Sequence, residues 1–148
     1  MEQTFAMVKP NGMKHALLGN VLSRYEAAGL AVQAVRVVRM SREQAEGFYA
    51  EHREKGFFGE LVDFMTSGPV ALLVLGGENA VAAVRAINGA TDPAKAAPGT
   101  IRFDYAPSVG ENVVHSSDSP ESAAREIAYW FQPSDLVDYA VSKRIATL

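Results

Sequence analysis

Val70-Ala71-Leu72-Leu73-Val74-Leu75 is an apolar run with the length of a β-strand, and Thr4-Phe5-Ala6-Met7-Val8 is a second such run near the N-terminus. Turn-forming residues flank both runs, with Ser67-Gly68-Pro69 before the first and Lys9-Pro10-Asn11-Gly12 after the second. Successive side chains of a strand point to opposite faces of a sheet, so a uniformly apolar strand is covered on both faces. The two runs therefore predict the central strands of one sheet.

The remaining strand candidates are less apolar. Residues 31–40 are rich in valine but are interrupted by Gln33, Arg36 and Arg39, which is typical of an edge strand. Residues 112–115 combine two β-branched valines with polar residues at both ends, which predicts a short fourth strand.

Helices are predicted from apolar residues at helical spacing and from capping residues. Ser41 begins a capping box, Asn79 is an N-cap candidate, and Ser119 followed by Pro120 marks the start of the last helix. The predicted helices cover residues 17–28, 41–52, 61–65, 79–88 and 119–131. The last helix is expected to bury Ala124, Ile127, Ala128 and Phe131.

The resulting order of elements is βαββαβ, with a helical insertion after the second strand and a long loop, residues 89–111, before the last strand. This order fits the ferredoxin-like α+β fold, an antiparallel four-stranded sheet in the order 2-3-1-4. Helices of that fold pack on one face, so the second face needs the helical insertion or a second subunit as cover. Within the loop, residues 101–105 favour an ordered, functional segment over a floppy one.

Composition bounds the class of protein. The 148 residues, 48% of them hydrophobic and none of them cysteine, predict a single domain over 1–148 in which 132–148 is a C-terminal tail. No apolar run approaches the ~20 residues of a membrane span, and the N-terminus lacks the basic start of a signal peptide. We therefore expect a cytoplasmic protein without a membrane partner. The net charge of −3 argues against general attraction to nucleic acid.

Several cationic residues lie where functional sites are usually assembled. His115 lies where the last strand passes into the last helix, and a helix N-terminus stabilises anionic groups. Lys9, Arg85 and Arg102 also lie at element ends or in the long loop. Each has a structural alternative: Arg85 can complement a helix dipole, Arg102 can pin its loop, and His115 can be a structural histidine. No phosphate-binding loop motif or dinucleotide fingerprint occurs, so a phosphate site here would be built from side chains.

The other two histidines are weaker candidates. His15, beside Lys14, is expected to be solvent-exposed and without a functional role. His52 shares a helix face with Tyr49, and a surface role is about as consistent with this position as a ligand contact.

Five spaced motifs carry a resemblance to a known family. They are Val8-Lys9-Pro10-Asn11-Gly12, Phe57-Phe58, Thr66-Ser67-Gly68-Pro69-Val70, Pro98-Gly99-Thr100-Ile101-Arg102 and Asn112-Val113-Val114-His115-Ser116-Ser117-Asp118. In this order they resemble the nucleoside diphosphate kinase family over at least residues 3–131, and the last matches its N-x-x-H-[GS]-S-D signature around a phosphorylated histidine. The resemblance implies the ferredoxin-like fold. It also implies a ping-pong transfer of the γ-phosphate from a nucleoside triphosphate such as ATP, through a phosphohistidine, to a nucleoside diphosphate.

The resemblance further implies which residues carry the chemistry. His115 is the nucleophile, reacting through Nδ1 while Glu126 holds Nε2, and a neutral imidazole is a competent nucleophile at pH 7. Tyr49 lies beside the histidine, and Lys9 is counted with the catalytic group. The residues expected to contact the phosphates are Arg85, Thr91, Arg102 and, toward the α-phosphate, His52. Fixed donors around the transferred phosphoryl group carry most of the catalysis in such reactions.

Nucleotide binding by resemblance uses the other matched residues. Lys9 and Asn112 bind the sugar hydroxyls, Phe57 stacks on the base, and Leu61 and Val109 enclose it. Contacts limited to a π-face and apolar edges discriminate bases weakly, which implies broad base tolerance. Mg²⁺ is the expected cofactor and would enter bridging the nucleotide phosphates, with no dedicated protein ligands.

Some positions depart from the common family pattern. Ser116 replaces the glycine after the histidine and is expected to crowd the approach to the phosphate. Phe103 stands where glycine is usual, Gly56 stands where proline is usual, and Glu111 occupies a position that is often basic. Gly56 is expected to loosen the hairpin that carries the stacking aromatic.

Two other classes of function remain open on the same fold. An RNA reader needs exposed aromatics on its central strands, and Phe5 is the only aromatic residue in those two runs. A catalytically weak nucleotide sensor is the alternative harder to dismiss, although such proteins tend to lose the histidine or its cations. By resemblance, we also expect a homo-oligomer, a tetramer or hexamer built on a dimer.

Overall fold

The computed structural model describes residues 1–142, so residues 143–148 of the predicted tail lie outside the described residues. The strands are β1 (Glu2–Val8), β2 (Ala31–Val38), β3 (Val70–Gly77) and β4 (Val114–Ser116). They form one antiparallel sheet in the order β2-β3-β1-β4, which confirms the predicted order with the two apolar runs at its centre. The valine-rich strand is at one edge, as predicted, and β4 is at the other.

Helices surround this sheet. Those described among residues 1–142 are α1 (Pro10–Lys14), α2 (Leu18–Ala27), α3 (Arg42–Phe48), α4 (Phe58–Met65), α5 (Ala80–Asn88), α6 (Ile101–Tyr105) and α7 (Pro120–Trp130). Short 3₁₀ turns at Ala50–His52, Pro93–Lys95 and Pro133–Asp135 complete the chain. The fold is the predicted ferredoxin-like α+β arrangement.

Two hydrophobic clusters cover the two faces of the sheet, because alternate residues of β1 and β3 point in opposite directions. On one face Phe5 and Met7 pack with side chains of α3, α4 and Trp130. On the other face Ala6 and Val8 pack with side chains of α2, α5 and α6. The helical insertion and the C-terminal helix therefore supply the second cover that the apolar strands require.

Two capping predictions have different outcomes. Ser41 forms the full capping box with Gln44, with both reciprocal hydrogen bonds in place. Asn79 takes the N-cap position of α5 but has a left-handed backbone (φ +50°) and makes no side-chain cap bond. Asparagine tolerates this conformation, so its role there is in the backbone turn rather than in capping.

The predicted buried face of α7 was partly wrong. Ala124 and Ala128 are exposed, whereas Ala123, Glu126 and Trp130 are buried. Residues 123, 126 and 130 are also at helical spacing. Because one of them is a glutamate, a search for apolar residues alone does not find this buried face. Burial of this carboxylate is explained by its hydrogen bonds.

The long loop, residues 89–111, is more regular than the sequence predicted, since it contains α6 and one 3₁₀ turn. Arg24 of α2 anchors it, with Nη1 donating to the carbonyl of Gly99 (2.9 Å) and Nη2 paired with Asp104 at 2.7 Å. At the start of the loop Gly89 has φ +86°, and a Cβ there would lie 2.5 Å from Thr100 Oγ1. The predicted ordered segment is thus a short helix held from outside the loop.

The described part of the tail runs back to the edge strand. Val137 N donates to the carbonyl of Gln33 at 3.0 Å, and the phenol of Tyr139 bonds both the N–H and the carbonyl of Val32. Within residues 1–142, no helix has the length and apolar character needed to cross a bilayer.

Candidate active site

A cleft of about 670 Å³ lies between the α3–α4 insertion on one side and the end of the long loop on the other. It contains ten of the twelve site residues predicted from the sequence: Lys9, Tyr49, His52, Phe57, Leu61, Thr91, Val109, Asn112, His115 and Glu126. Residues far apart in the chain therefore meet in one place, as the predicted site requires.

His115 is on β4 and faces this cleft from the sheet. It pairs with Met7 of β1 and its side chain is 22% exposed. Nε2 lies 3.0 Å from Oε1 of Glu126, whereas Nδ1 makes no hydrogen bond to any residue within 1–142. A carboxylate on Nε2 favours the tautomer with the proton there, which leaves Nδ1 with a free lone pair.

The Glu126 carboxylate is itself fixed by a second donor. Ser117, which is fully buried, donates from Oγ to the same oxygen, Oε1, at 2.7 Å. Burial would raise the pKa of Glu126, but the hydrogen bonds and charge of His115, with the Ser117 hydroxyl, outweigh burial and hold that pKa below its ordinary value. The group that orients the histidine is therefore ionised at neutral pH.

Local structure delivers these groups to the cleft. Ser119 caps α7 by accepting from the amide of Ser122 at 3.0 Å, and this places Glu126 two turns inside the helix. Val113, with φ +74°, lies between the long loop and β4. A strand three residues long between a strained turn and a capped helix leaves His115 little freedom of position.

Ser116 does not crowd the site, so that expectation was wrong. It pairs with Ala6, which belongs to the cluster on the opposite face of the sheet from Met7, the partner of His115. Strand alternation therefore turns the Ser116 side chain away from the cleft.

Aromatic rings enclose the histidine. Ring centroids of Phe48, Phe5 and Tyr49 lie 5.6, 6.0 and 6.3 Å from that of His115. Tyr49 carries a buried hydroxyl without a hydrogen-bond partner in the described chain. Burial raises the pKa of this phenol and the charge of Glu126 raises it further, so the hydroxyl stays protonated and is a donor without a partner in the described chain.

Lys9 and Asn112 form a polar pair deeper in the cleft. Lys9 Nζ donates to Asn112 Oδ1 at 2.7 Å, and Asn112 Nδ2 donates to the carbonyl of Thr91 at 3.1 Å. Burial lowers the pKa of Lys9 to about 8, and the charge of Arg102 contributes. A partly desolvated ammonium held this way is prepared for an anionic or polyhydroxyl ligand.

The two predicted arginines do not line the cleft. Arg102, only 8% exposed, donates from Nη1 to the carbonyl of Gly89 (2.8 Å) and from Nη2 to that of Val114 (2.7 Å). It pins both ends of the long loop, which is the structural alternative considered for it, while its buried Nε has no partner in residues 1–142. Arg85 is exposed in the last turn of α5 and borders a separate hollow with Asp118, whose pKa its charge helps to lower after the larger effect of the Ser122 hydroxyl.

The mouth of the cleft is apolar and aromatic. Phe57 is half exposed, its ring centroid is 5.7 Å from that of His52, and Leu61 follows one turn later on α4. Val109 is exposed on the opposite wall. These two walls can sandwich a flat aromatic ligand.

Some contributors were not predicted. Neither Phe48 nor Ser117 was a site candidate, although Ser117 stands in the signature motif two residues after the histidine. The signal that could have found Ser117 is a hydroxyl in a strand-to-helix turn facing a carboxylate on the following helix. Glu60 also lines the mouth and carries no apolar signal.

Comparison with known proteins identifies the family. A sequence profile described as nucleoside diphosphate kinase matches residues 2–136, nearly the whole chain. The chain belongs to the nucleoside diphosphate kinase family. It is accordingly a phosphotransferase that binds nucleotides.

Solved structures of this family are similar over the whole fold. A nucleoside diphosphate kinase family protein from Babesia bovis is 40% identical, with a TM-score of 0.91 and 96% of each chain covered. The Aquifex aeolicus enzyme is 44% identical, with a TM-score of 0.89 over 92% of this chain and 99% of that one. The enzyme of Halobacterium salinarum, solved in complex with CDP, is 44% identical, with a TM-score of 0.91 over 95% and 93%.

Proposed function

We propose that His115 is the residue that this kinase phosphorylates. The proposal rests on the two nitrogens of the His115 ring, which lines the cleft. Nε2 is held by Glu126 at 3.0 Å, whereas Nδ1 has no protein partner in the described chain. The Nδ1 lone pair would form the N–P bond to the γ-phosphorus as the bond to the β-phosphate oxygen breaks. A nucleoside diphosphate would then take the phosphoryl group by the reverse displacement.

Polar groups around His115 would stabilise the charge of the transferred group. The Tyr49 hydroxyl and the Lys9 ammonium are donors of residues that line the cleft with His115. Arg85, Thr91 and Arg102 are proposed phosphate ligands, although only Thr91 lines the cleft. The proposal requires the Arg85 side chain to move from its separate hollow toward the phosphates. It also requires a phosphate oxygen to contact the buried Nε of Arg102, which has no partner in the described chain.

The rest of the cleft would bind the nucleotide. Lys9 and Asn112 are proposed for the sugar hydroxyls and His52 for the α-phosphate. Phe57 would stack on the base between Leu61 and Val109. A base held by its faces is recognised weakly, so we expect the enzyme to accept all common bases.

Mg²⁺ is proposed to enter with the nucleotide. Within residues 1–142 no three His, Cys, Asp or Glu side chains come together as a metal site. Mg²⁺ commonly binds through substrate phosphates and water, so it would not require dedicated ligands from the protein. When bound, it would neutralise phosphate charge.

We propose that the protein assembles through the edge of its sheet. β2 is an edge strand with Val35 and Val37 exposed, which supports a homo-oligomer built on a dimer and assembled as a tetramer or hexamer. Light scattering at micromolar concentration tests it, and a monomer would contradict it. We also propose that residues 1–148 form one domain and that the protein is cytoplasmic.

Steady-state kinetics test the proposed function. With ATP as donor and CDP as acceptor, wild type should give the parallel double-reciprocal lines of a ping-pong reaction, and His115→Ala should abolish transfer. His15→Ala is the matched control, because His15 is exposed and outside the cleft. Nucleotide binding without transfer in wild type would instead favour the sensor, which no observation in the site supports.

A further inference from the structure

Glu60 is an unpaired acidic residue at the base end of the cleft. It lies on α4 one turn after Phe57 and lines the same cleft. Its side chain is exposed, and no hydrogen bond or ion pair engages its carboxylate within residues 1–142. The carboxylate is therefore available to a ligand.

The expected direction of a bound base brings one edge toward this residue. The sugar is assigned to Lys9 and Asn112 in the interior, and the base to Phe57 at the mouth, so the atoms of the base farthest from the sugar lie toward the rim. In a pyrimidine these are the atoms around C4, and in a purine those around C6. Glu60 is exposed at that rim.

Carboxylates only accept hydrogen bonds. An amino group at C4 or C6, as in cytosine or adenine, is a donor and complements Glu60. A carbonyl in the same place, as in uracil or hypoxanthine, presents a second acceptor and is repelled.

We propose that Glu60 is a specificity-determining residue that favours bases with an exocyclic amino group at C4 or C6. The inference rests on the proposed placement of the nucleotide and adds a bias to the broad tolerance argued above. Because the rim is solvated, the bias is modest, roughly two- to tenfold in affinity.

Calorimetric titration of the unphosphorylated protein measures this bias without requiring transfer. CDP against UDP, and ADP against IDP, exchange the same amino group for a carbonyl. Wild type should bind CDP and ADP roughly two- to tenfold more tightly than UDP and IDP, and Glu60→Ala should bring both ratios close to one. Glu54→Ala, which removes an exposed glutamate outside the cleft, should leave both ratios as in wild type.

Two results would overturn the proposal. One is a CDP-to-UDP ratio that is the same in wild type and Glu60→Ala. The other is a uniform gain in affinity for all four nucleotides in Glu60→Ala, which would mean that the carboxylate acts only by repelling the diphosphate. Either result leaves phosphoryl transfer by His115 intact, whereas failure of transfer leaves these ratios measurable.

Discussion

At the scale of single residues, one carboxylate oxygen orients the proposed nucleophile. Oε1 of Glu126 accepts from Ser117 and contacts Nε2 of His115, so the carboxylate has one orientation and the imidazole one tautomer. Both hydrogen bonds are made between groups of the protein itself, and preorganised groups of this kind lower the cost of reaching a transition state.

Replacing Arg85 or Arg102 with alanine should have different effects on the free energy of unfolding. Replacing either with alanine should depress kcat/KM, by on the order of 10³ in favourable cases, if each supplies the phosphate contact proposed for it. Arg102→Ala should also lower the free energy of unfolding by about 2 kcal/mol or more, since the carbonyls of Gly89 and Val114 lose their donors. Arg85→Ala should leave stability unchanged, because Arg85 is exposed.

Denaturant unfolding and steady-state kinetics of both variants check this pair. Near wild-type activity in both would mean that the phosphates do not lie where the motifs place them.

Phe57 should affect binding more than chemistry. A stacked base contributes about 1–3 kcal/mol, so Phe57→Ala should weaken binding of every nucleotide roughly ten- to a hundredfold while the phosphohistidine still forms at saturating ATP. Phe103→Ala is a matched control, since Phe57 and Phe103 are both 50% exposed but only Phe57 lines the cleft. A strong change of base preference with intact affinity would argue against stacking on Phe57.

Titration of Lys9 should make the affinity for nucleotides depend on pH. Its pKa is lowered to about 8, so its charge in the free protein is lost as the pH rises through that value. Bound phosphates favour the charged form, and binding near pH 8 should therefore take up protons. Calorimetry should show affinity for CDP falling by up to about tenfold between pH 7 and pH 9, and Lys9→Met should show a flatter profile. Equal profiles for the two proteins would exclude Lys9 as the titrating group.

At the scale of elements, the tail and the long loop are each held from a distance. Arg24 of α2 holds the loop through Gly99 and Asp104. Val137 and Tyr139 close the first part of the β2 edge, whose backbone groups would otherwise be unpaired. The long loop contributes Thr91 and Val109 to the cleft, whereas β2, which the tail contacts, contributes no residue to its lining.

Tyr139→Phe tests the tail as a structural strap. Loss of the phenol removes the bonds to Val32 N (2.8 Å) and O (2.9 Å), and unfolding free energy should fall by about 1 kcal/mol with kcat/KM unchanged. Val141→Ala, another exposed tail residue, should change neither quantity. A fall in kcat/KM for Tyr139→Phe at unchanged stability would show that the tail acts on the site instead.

At the scale of the whole molecule, the two central strands could be predicted from the sequence, because a strand that is apolar on both faces must be covered on both faces. The cleft was predictable only through the motifs, since local patterns do not say which distant residues meet. Helix α6 was not foreseen as a helix: it is only five residues long, and its local signal is the single N-cap Thr100, whose hydroxyl accepts from the amide of Phe103. The hydrogen bonds of Arg102 could not be predicted either, since an arginine that donates to backbone carbonyls has no sequence signature.

The most direct test of the account is to incubate the purified enzyme with ATP alone, isolate it, and then add CDP. We predict a stable phosphoenzyme whose phosphate is acid-labile and alkali-stable, is absent from His115→Ala, and passes to CDP on addition. Acid-stable phosphate on a serine such as Ser116 or Ser117, or labelling that survives in His115→Ala, would contradict the claim that His115 carries the phosphoryl group.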